Sequence, residues 1–142
     1  MPRASYAHAA VIAAPAIDVW RRLQDPETWR TIGGIDEIWD PATEDDNLAG
    51  FRWKATAGAR RITGTARVTE RANPPRMVLA LSTSEMTGTL VADLEAGAGA
   101  TRLDITLSFA SRGMVASLFF PLISTVLGEG LVRQVDEFAA SF

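Results

Sequence analysis

Side chains that could move a proton near neutral pH are scarce in this chain, which has one histidine and no cysteine in 142 residues. His8 lies two positions from the single tyrosine, Tyr6, and in an extended segment that spacing puts both on one face. Together they could act as a general base and its assistant in a reaction that needs no cofactor. A buried, hydrogen-bonded histidine with no catalytic task fits the same residues. Trp39, Phe51 and Trp53 form an aromatic group whose flat rings could clasp a planar ligand, and core packing explains them equally well. Met77 and Met86 are adaptable side chains that suit an irregular apolar guest, with the same core alternative.

Other constellations point away from chemistry. Asp36, Glu37, Asp40, Glu44, Asp45 and Asp46 invite a cation, but their spacing lacks the DxDxDG pattern of a calcium loop, and a solvated acidic loop accounts for them. Arg60, Arg61, Arg67 and Arg71 read as the wet face of a strand. Glu129 would become a candidate acid if a kink at Pro121 turned it into an apolar pocket, whereas its i,i+4 spacing from Arg133 favours the surface. GxSxG, Walker, HExxH and GxGxxG motifs are absent; Gly97-Ala98-Gly99 lacks the third glycine and precedes a strand. Without cysteine there is neither a thiol nucleophile nor a cysteine-built metal site, and one histidine disfavours a histidine-built one. No metal or other cofactor is expected.

The elements that would position these residues follow from periodicity. Residues 5–12 alternate as a strand whose two faces are both fairly apolar. Pro15, taken as the first helical position, starts a short helix with Ile17, Trp20 and Leu23 on one side, and Asp25-Pro26 stops it. A second short helix, Glu27 to Thr31, ends at Gly33-Gly34. Ile35 to Trp39 reads as a short strand closed by Asp40-Pro41. Five alternating segments follow, centred on Trp53, Ala66, Leu79, Leu90 and Leu107, with short links that imply hairpins.

The last thirty residues hold the sheet's partner. Phe120, Ile123, Leu127, Leu131, Val135, Phe138 and Phe142 recur in steps of three and four, the stripe of one long helix that starts after Ser111 as its N-cap. Met114 to Leu127 is apolar nearly all round, so a loop, a ligand, a second subunit or a membrane surface should cover it. This run is short of the ~20 residues that span a bilayer. A curved sheet closed by one helix leaves a cavity between them. Gly64, Ala66, Gly88 and Ala92 are small residues on the inward face that would leave it room.

This order, with the stretch IAAPAIDVWRRLQDPETW at residues 12–29, resembles the START-like, Bet v 1-like (SRPBCC) superfamily, in particular its polyketide cyclase/dehydrase and lipid-transport group. The resemblance covers essentially the whole chain, read as one domain, 1–142. It implies an α+β helix-grip fold, a curved antiparallel sheet of six to seven strands wrapped around a long C-terminal helix, with two short helices after the first strand. It also implies a hydrophobic pocket that takes a lipid, polyketide or quinone-like molecule, and no catalytic motif common to the family. The expected ligand contacts are Trp39, Phe51, Trp53, Met77, Leu79, Met86, Leu90, Leu107 and Phe109 on the strands, and Phe120, Ile123 and Leu127 on the helix.

The leading expectation is a cytoplasmic binder or carrier of a small hydrophobic molecule. One rival is a cyclase or dehydratase using His8 and Tyr6 without metal or nucleotide. Another is an interaction module or homodimer docking through the apolar half of the long helix. A net charge of −3 gives no basic footprint for nucleic acid, and no transmembrane segment is expected.

Overall fold

The computed structural model describes residues 3–32, 35–57, 60–72, 75–112 and 130–142. The strands are β1 (Arg3–Ile12), β2 (Glu37–Glu44), β3 (Asn47–Ala57), β4 (Arg60–Ala72), β5 (Arg76–Thr83), β6 (Met86–Ala96) and β7 (Thr101–Ser111). The helices are α1 (Ala16–Leu23), α2 (Pro26–Ile32) and the C-terminal α3, whose described part is residues 130–140. All seven strands pair antiparallel in the order β1-β7-β6-β5-β4-β3-β2, so β2 to β7 form a meander and β1 closes against the last strand. Two short helices follow the first strand and the final helix lies against the sheet, which is the helix-grip arrangement.

Local chemistry explains the hairpins. Between β5 and β6, the Thr83 hydroxyl accepts hydrogen bonds from the Glu85 and Met86 backbone N–H groups at 3.1 and 2.8 Å, which turns the chain tightly. Between β6 and β7, Gly97 N–H donates to the Ala100 carbonyl at 2.8 Å and Gly99 takes φ 73°, a value that suits glycine. The β2–β3 link is Asp45 and Asp46 at φ 51° and 64°, with Glu44 opposite Asn47. The acidic run is thus a two-residue hairpin of the primed type.

Several local expectations are corrected. Pro15 is the N-cap of α1, at φ −62° and ψ 150°, rather than its first helical residue. β2 does not stop at Asp40-Pro41 but runs through it. The register slips between Trp39 and Ala42, Asp40 takes φ 50°, and Pro41 is tolerated because β2 ends the sheet. β1 is likewise a terminal strand, and its outward face is exposed, with Val11 72% accessible, so only the face of Ala10 and Ile12 is covered. Arg71 does not share the wet face of Arg61 and Arg67. An irregularity between Val68 and Glu70 adds a residue and reverses the alternation, bringing Arg71 opposite buried Met77.

Arg71 and Gln24 complete the backbone there. Leu48 N–H donates to the Gln24 side-chain oxygen at 3.1 Å, and the Arg71 guanidinium donates to the Leu48 carbonyl. The core fills this end of the grip with Leu48, Met77, Leu94 and Leu103, all at most 4% accessible. On α3 the stripe holds for Leu131, Val135 and Phe138, which are buried while Arg133, Asp136 and Glu137 face solvent; Phe142, expected to extend it, lies past the helix end at residue 140 and is 37% accessible. Ser111 is not the N-cap of the helix but the last residue of β7, opposite Met86, and Arg112 after it is not helical, its N–H donating to the Glu85 carbonyl. The kink at Pro121, the apolar stretch Met114 to Leu127 and Glu129 lie outside the described residues. No helix among the described residues is long and apolar enough to cross a membrane.

Candidate functional site

A cavity of about 140 Å³ opens at the other end of the grip, between the sheet and helices α2 and α3. From the sheet come the inward-facing positions of β3 to β7, because alternate residues of a strand share a face. Phe51, Trp53, Leu79, Met86, Leu90, Leu107 and Phe109 line the cavity, where alternation along the strands places them. Met77 does not line it: it is fully buried in the solid end of the core, where the Gln24 amide lies 3.6 Å from its sulfur. Trp39 is also absent from the wall. It sits opposite exposed Arg52 on the last strand of the sheet, on the outward face, while its neighbour Ile38 is the residue paired with inward-facing Trp53. Phe120, Ile123 and Leu127 lie outside the described residues.

The cavity has further walls. Trp29 and Ile32 come from α2, where a spacing of three puts both on its buried side, and Ile35 follows at the exit of that helix. Leu131 and Gln134 reach in from α3, and Ile62 and Leu81 continue the inward faces of β4 and β5. The i,i+3 pair in α2 and the strand alternation were the signals that could have found these residues. Of the four small residues expected to leave room, Gly88 lines the cavity. Ala66 and Ala92 are packed into the core. At Gly64 the space is taken by its cross-strand neighbour: Trp53 Cζ2 and Cε2 lie 2.6 and 2.7 Å from where a Cβ would be.

No ionisable side chain lines the cavity among the described residues. Its polar groups are mostly engaged elsewhere. Thr56 donates to Asp36 at 2.6 Å, Thr83 holds the β5–β6 turn, and the Trp29 indole donates to the Leu23 carbonyl at 2.8 Å. The Gln134 amide is satisfied when its nitrogen donates to the Ile32 and Gly130 carbonyls at 2.6 and 3.2 Å. Trp53 Nε1 differs, being buried without a partner.

His8 and Tyr6 do share the inward face of β1, yet neither lines the cavity. His8 Nε2 lies 2.8 Å from Asp136 on α3, and Tyr6 stacks on Phe109 at 6.1 Å between ring centres. The residues able to pass a proton therefore fasten a helix and pack behind the wall. Among the described residues no three His, Cys, Asp or Glu side chains converge as a metal site would require. On the outward face, the hydrogen bond and charge of Asp104 raise the pKa of Arg102, away from the cavity.

The profile of the polyketide cyclase/dehydrase and lipid transport family matches residues 3–142. The chain belongs to this family. No curated protein matches the chain closely enough to stand as a relative by sequence. Among solved structures, this family member is similar to a START superfamily protein from Mycobacterium smegmatis, at 15% identity and TM-score 0.72 over 96% of this chain and 97% of the other. It is similar to the protein TTHA0849 from Thermus thermophilus, at 16% identity and TM-score 0.76 over 97% and 98%. It also matches the Zhui aromatase/cyclase from Streptomyces sp. R1128, at 14% identity and TM-score 0.74 over 98% and 94%. At such low identities these likenesses establish the START/Bet v 1 fold for the family member and leave chemistry to its own residues.

Proposed function

We propose that this protein binds or carries a small hydrophobic molecule in the cavity between its sheet and helices. The observation that carries this reading is a hollow of about 140 Å³ with apolar walls and no ionisable side chain among its described residues. An apolar cavity of roughly 150 Å³ holds one benzene ring, so the space as it stands accepts a single ring. A longer lipid, polyketide or quinone-like ligand would need to extend beyond it. Burying a ring of about 200 Å² at about 25 cal/mol per Å² supplies roughly 5 kcal/mol before the cost of association is counted. A one-ring guest should therefore bind weakly, and a larger ligand more tightly.

The family's description, with its cyclase and lipid-transport members, is consistent with this role. A cyclase or dehydratase resting on His8 and Tyr6 has less support, because both lie off the wall and His8 already engages Asp136. To test the binding reading, Leu107→Trp would fill the cavity from β7. With the circular dichroism spectrum of the parent retained, the variant should lose binding of a neutral hydrophobic fluorophore and of whatever co-purifies by native mass spectrometry. Unchanged binding by the variant would refute the assignment.

A further inference from the structure

The sheet has two rims, and they are built differently. β2 carries Glu37, Asp40 and Glu44, a proline at residue 41 and two slips of register, all of which discourage another chain from pairing there. β1 has none of these guards. Its ten residues pair with β7 from Arg3↔Ala110 to Ile12↔Thr101 without a slip, it holds no proline, and its only Lys, Arg, Asp or Glu is Arg3 at its start. Half of its N–H and C=O groups point away from β7, because an antiparallel strand bonds one neighbour through alternate residues. Among the described residues β7 is the one strand beside it, and the one further backbone bond on β1 runs from Ala14 N–H to the Ile12 carbonyl, at 2.9 Å. Helices α1 and α2 lie against β6 and β2 rather than alongside β1. The outward-facing side chains after Arg3 are Ser5, Ala7, Ala9 and Val11, all uncharged, with Val11 72% accessible.

We infer that this rim is an interface between two copies of the chain, β1 pairing antiparallel with β1 of the second copy to make one continuous sheet. A row of free amides and carbonyls is matched in spacing by another extended backbone, which makes the occupant a strand. A second copy supplies that strand, and two-fold symmetry then sets the pairing. Side chains on one face of a sheet must meet side chains on the same face. A pairing centred on Ala7 puts Ser5 opposite Ala9, Tyr6 opposite His8, and Arg3, whose aliphatic stem can cover it, opposite Val11. No like charges meet, since the two Arg3 side chains fall at opposite ends, about 27 Å apart. Centring on His8 instead would set two imidazoles against each other, each already held by Asp136 at 2.8 Å. A single strand edge buries less than the roughly 1,600 Å² of a standard interface, so the dimer is a weak one. It does not depend on what the cavity holds.

Sedimentation equilibrium on the parent should show monomer and dimer exchanging with a Kd of about 10–100 μM. Over the same range, hydrogen exchange at alternate amides of β1 should slow as concentration rises while β2 is unaffected, a readout that needs no variant. Ala7→Lys and Ala7→Glu each alter an exposed side chain, so both should keep the circular dichroism spectrum of the parent. Alone, each variant opposes like charges at the two-fold axis and should associate at least tenfold more weakly than the parent. Mixed in equal amounts, the two should pair with one another at least as tightly as the parent pairs with itself, a rescue that a misfolded variant could not give. A parent that stays monomeric at about 1 mM would overturn the interface. Single variants that dimerise like the parent would overturn it too, by moving the association to another surface, and a mixture that stays monomeric would overturn the pairing centred on Ala7.

Discussion

Gly64 and Trp53 face each other across β4 and β3, and the indole fills the space that a side chain on Gly64 would take. A methyl group added at residue 64 would also meet the Ser82 carbonyl at 2.7 Å, and backbone gives way less easily than a side chain. Gly64→Ala should therefore destabilise the fold by about 1–3 kcal/mol, as overpacking does. It should also displace Trp53, which a shift of its indole resonance would report, and a variant as stable as the parent would contradict this geometry. At this scale much was readable in advance. Alternation along β3 to β7 identified Phe51, Trp53, Leu79, Leu90 and Leu107 as facing inward, because the two-residue period of a strand depends on nothing distant. Whether an inward residue meets a void or a neighbour does depend on distant chain. Met77 and Leu79 share one face of one strand, yet only Leu79 reaches the cavity.

At the scale of elements, the irregularity between Val68 and Glu70 has the largest effect, since it sends Arg71 inward to the Leu48 carbonyl while Gln24 takes the Leu48 N–H. Gln24→Ala should cost about 1–3 kcal/mol in urea unfolding, because it strands that N–H in a part-buried place. A loss of a few tenths would mean that water replaces the amide. An added residue in a strand leaves no mark in composition, which is why Arg71 was read with its exposed neighbours. Asp40-Pro41 looked like a stop because a proline ends a central strand, and which strand lies at the rim follows only from the assembled topology. The turn at Asp45 and Asp46 holds two acidic residues at positive φ. Asp46→Gly should accordingly raise stability by up to about 1 kcal/mol, the strain relieved exceeding the added chain entropy. Thermal unfolding would show the sign.

For the whole molecule, the described part of α3 is attached to three other elements. His8 on β1 meets Asp136, Arg22 on α1 lies over the Phe138 and Phe142 rings at 5.2 and 4.5 Å, and Gln134 reaches the Ile32 carbonyl of α2. Burial outweighs the ion pair here. Asp136 is 58% accessible, so Asp136→Asn should cost under about 1 kcal/mol. Phe138→Ala should cost about 3–5 kcal/mol, since that ring is 2% accessible in the core. Equal losses on denaturant titration would mean that the contact with β1, rather than the apolar stripe, anchors the helix. The global arrangement was legible because one stripe and a run of short links admit few topologies. The hollow's size and the unpaired donor were not, as both arise where five strands and two helices meet.

The slipped register and Pro41 of β2 have one more consequence. A regular terminal strand offers a row of free amides on which another chain can extend the sheet, but a proline has none to offer and a kinked stretch spoils the row. That rim should resist fibril growth even in crowded solution, and any pairing of copies should leave it bare.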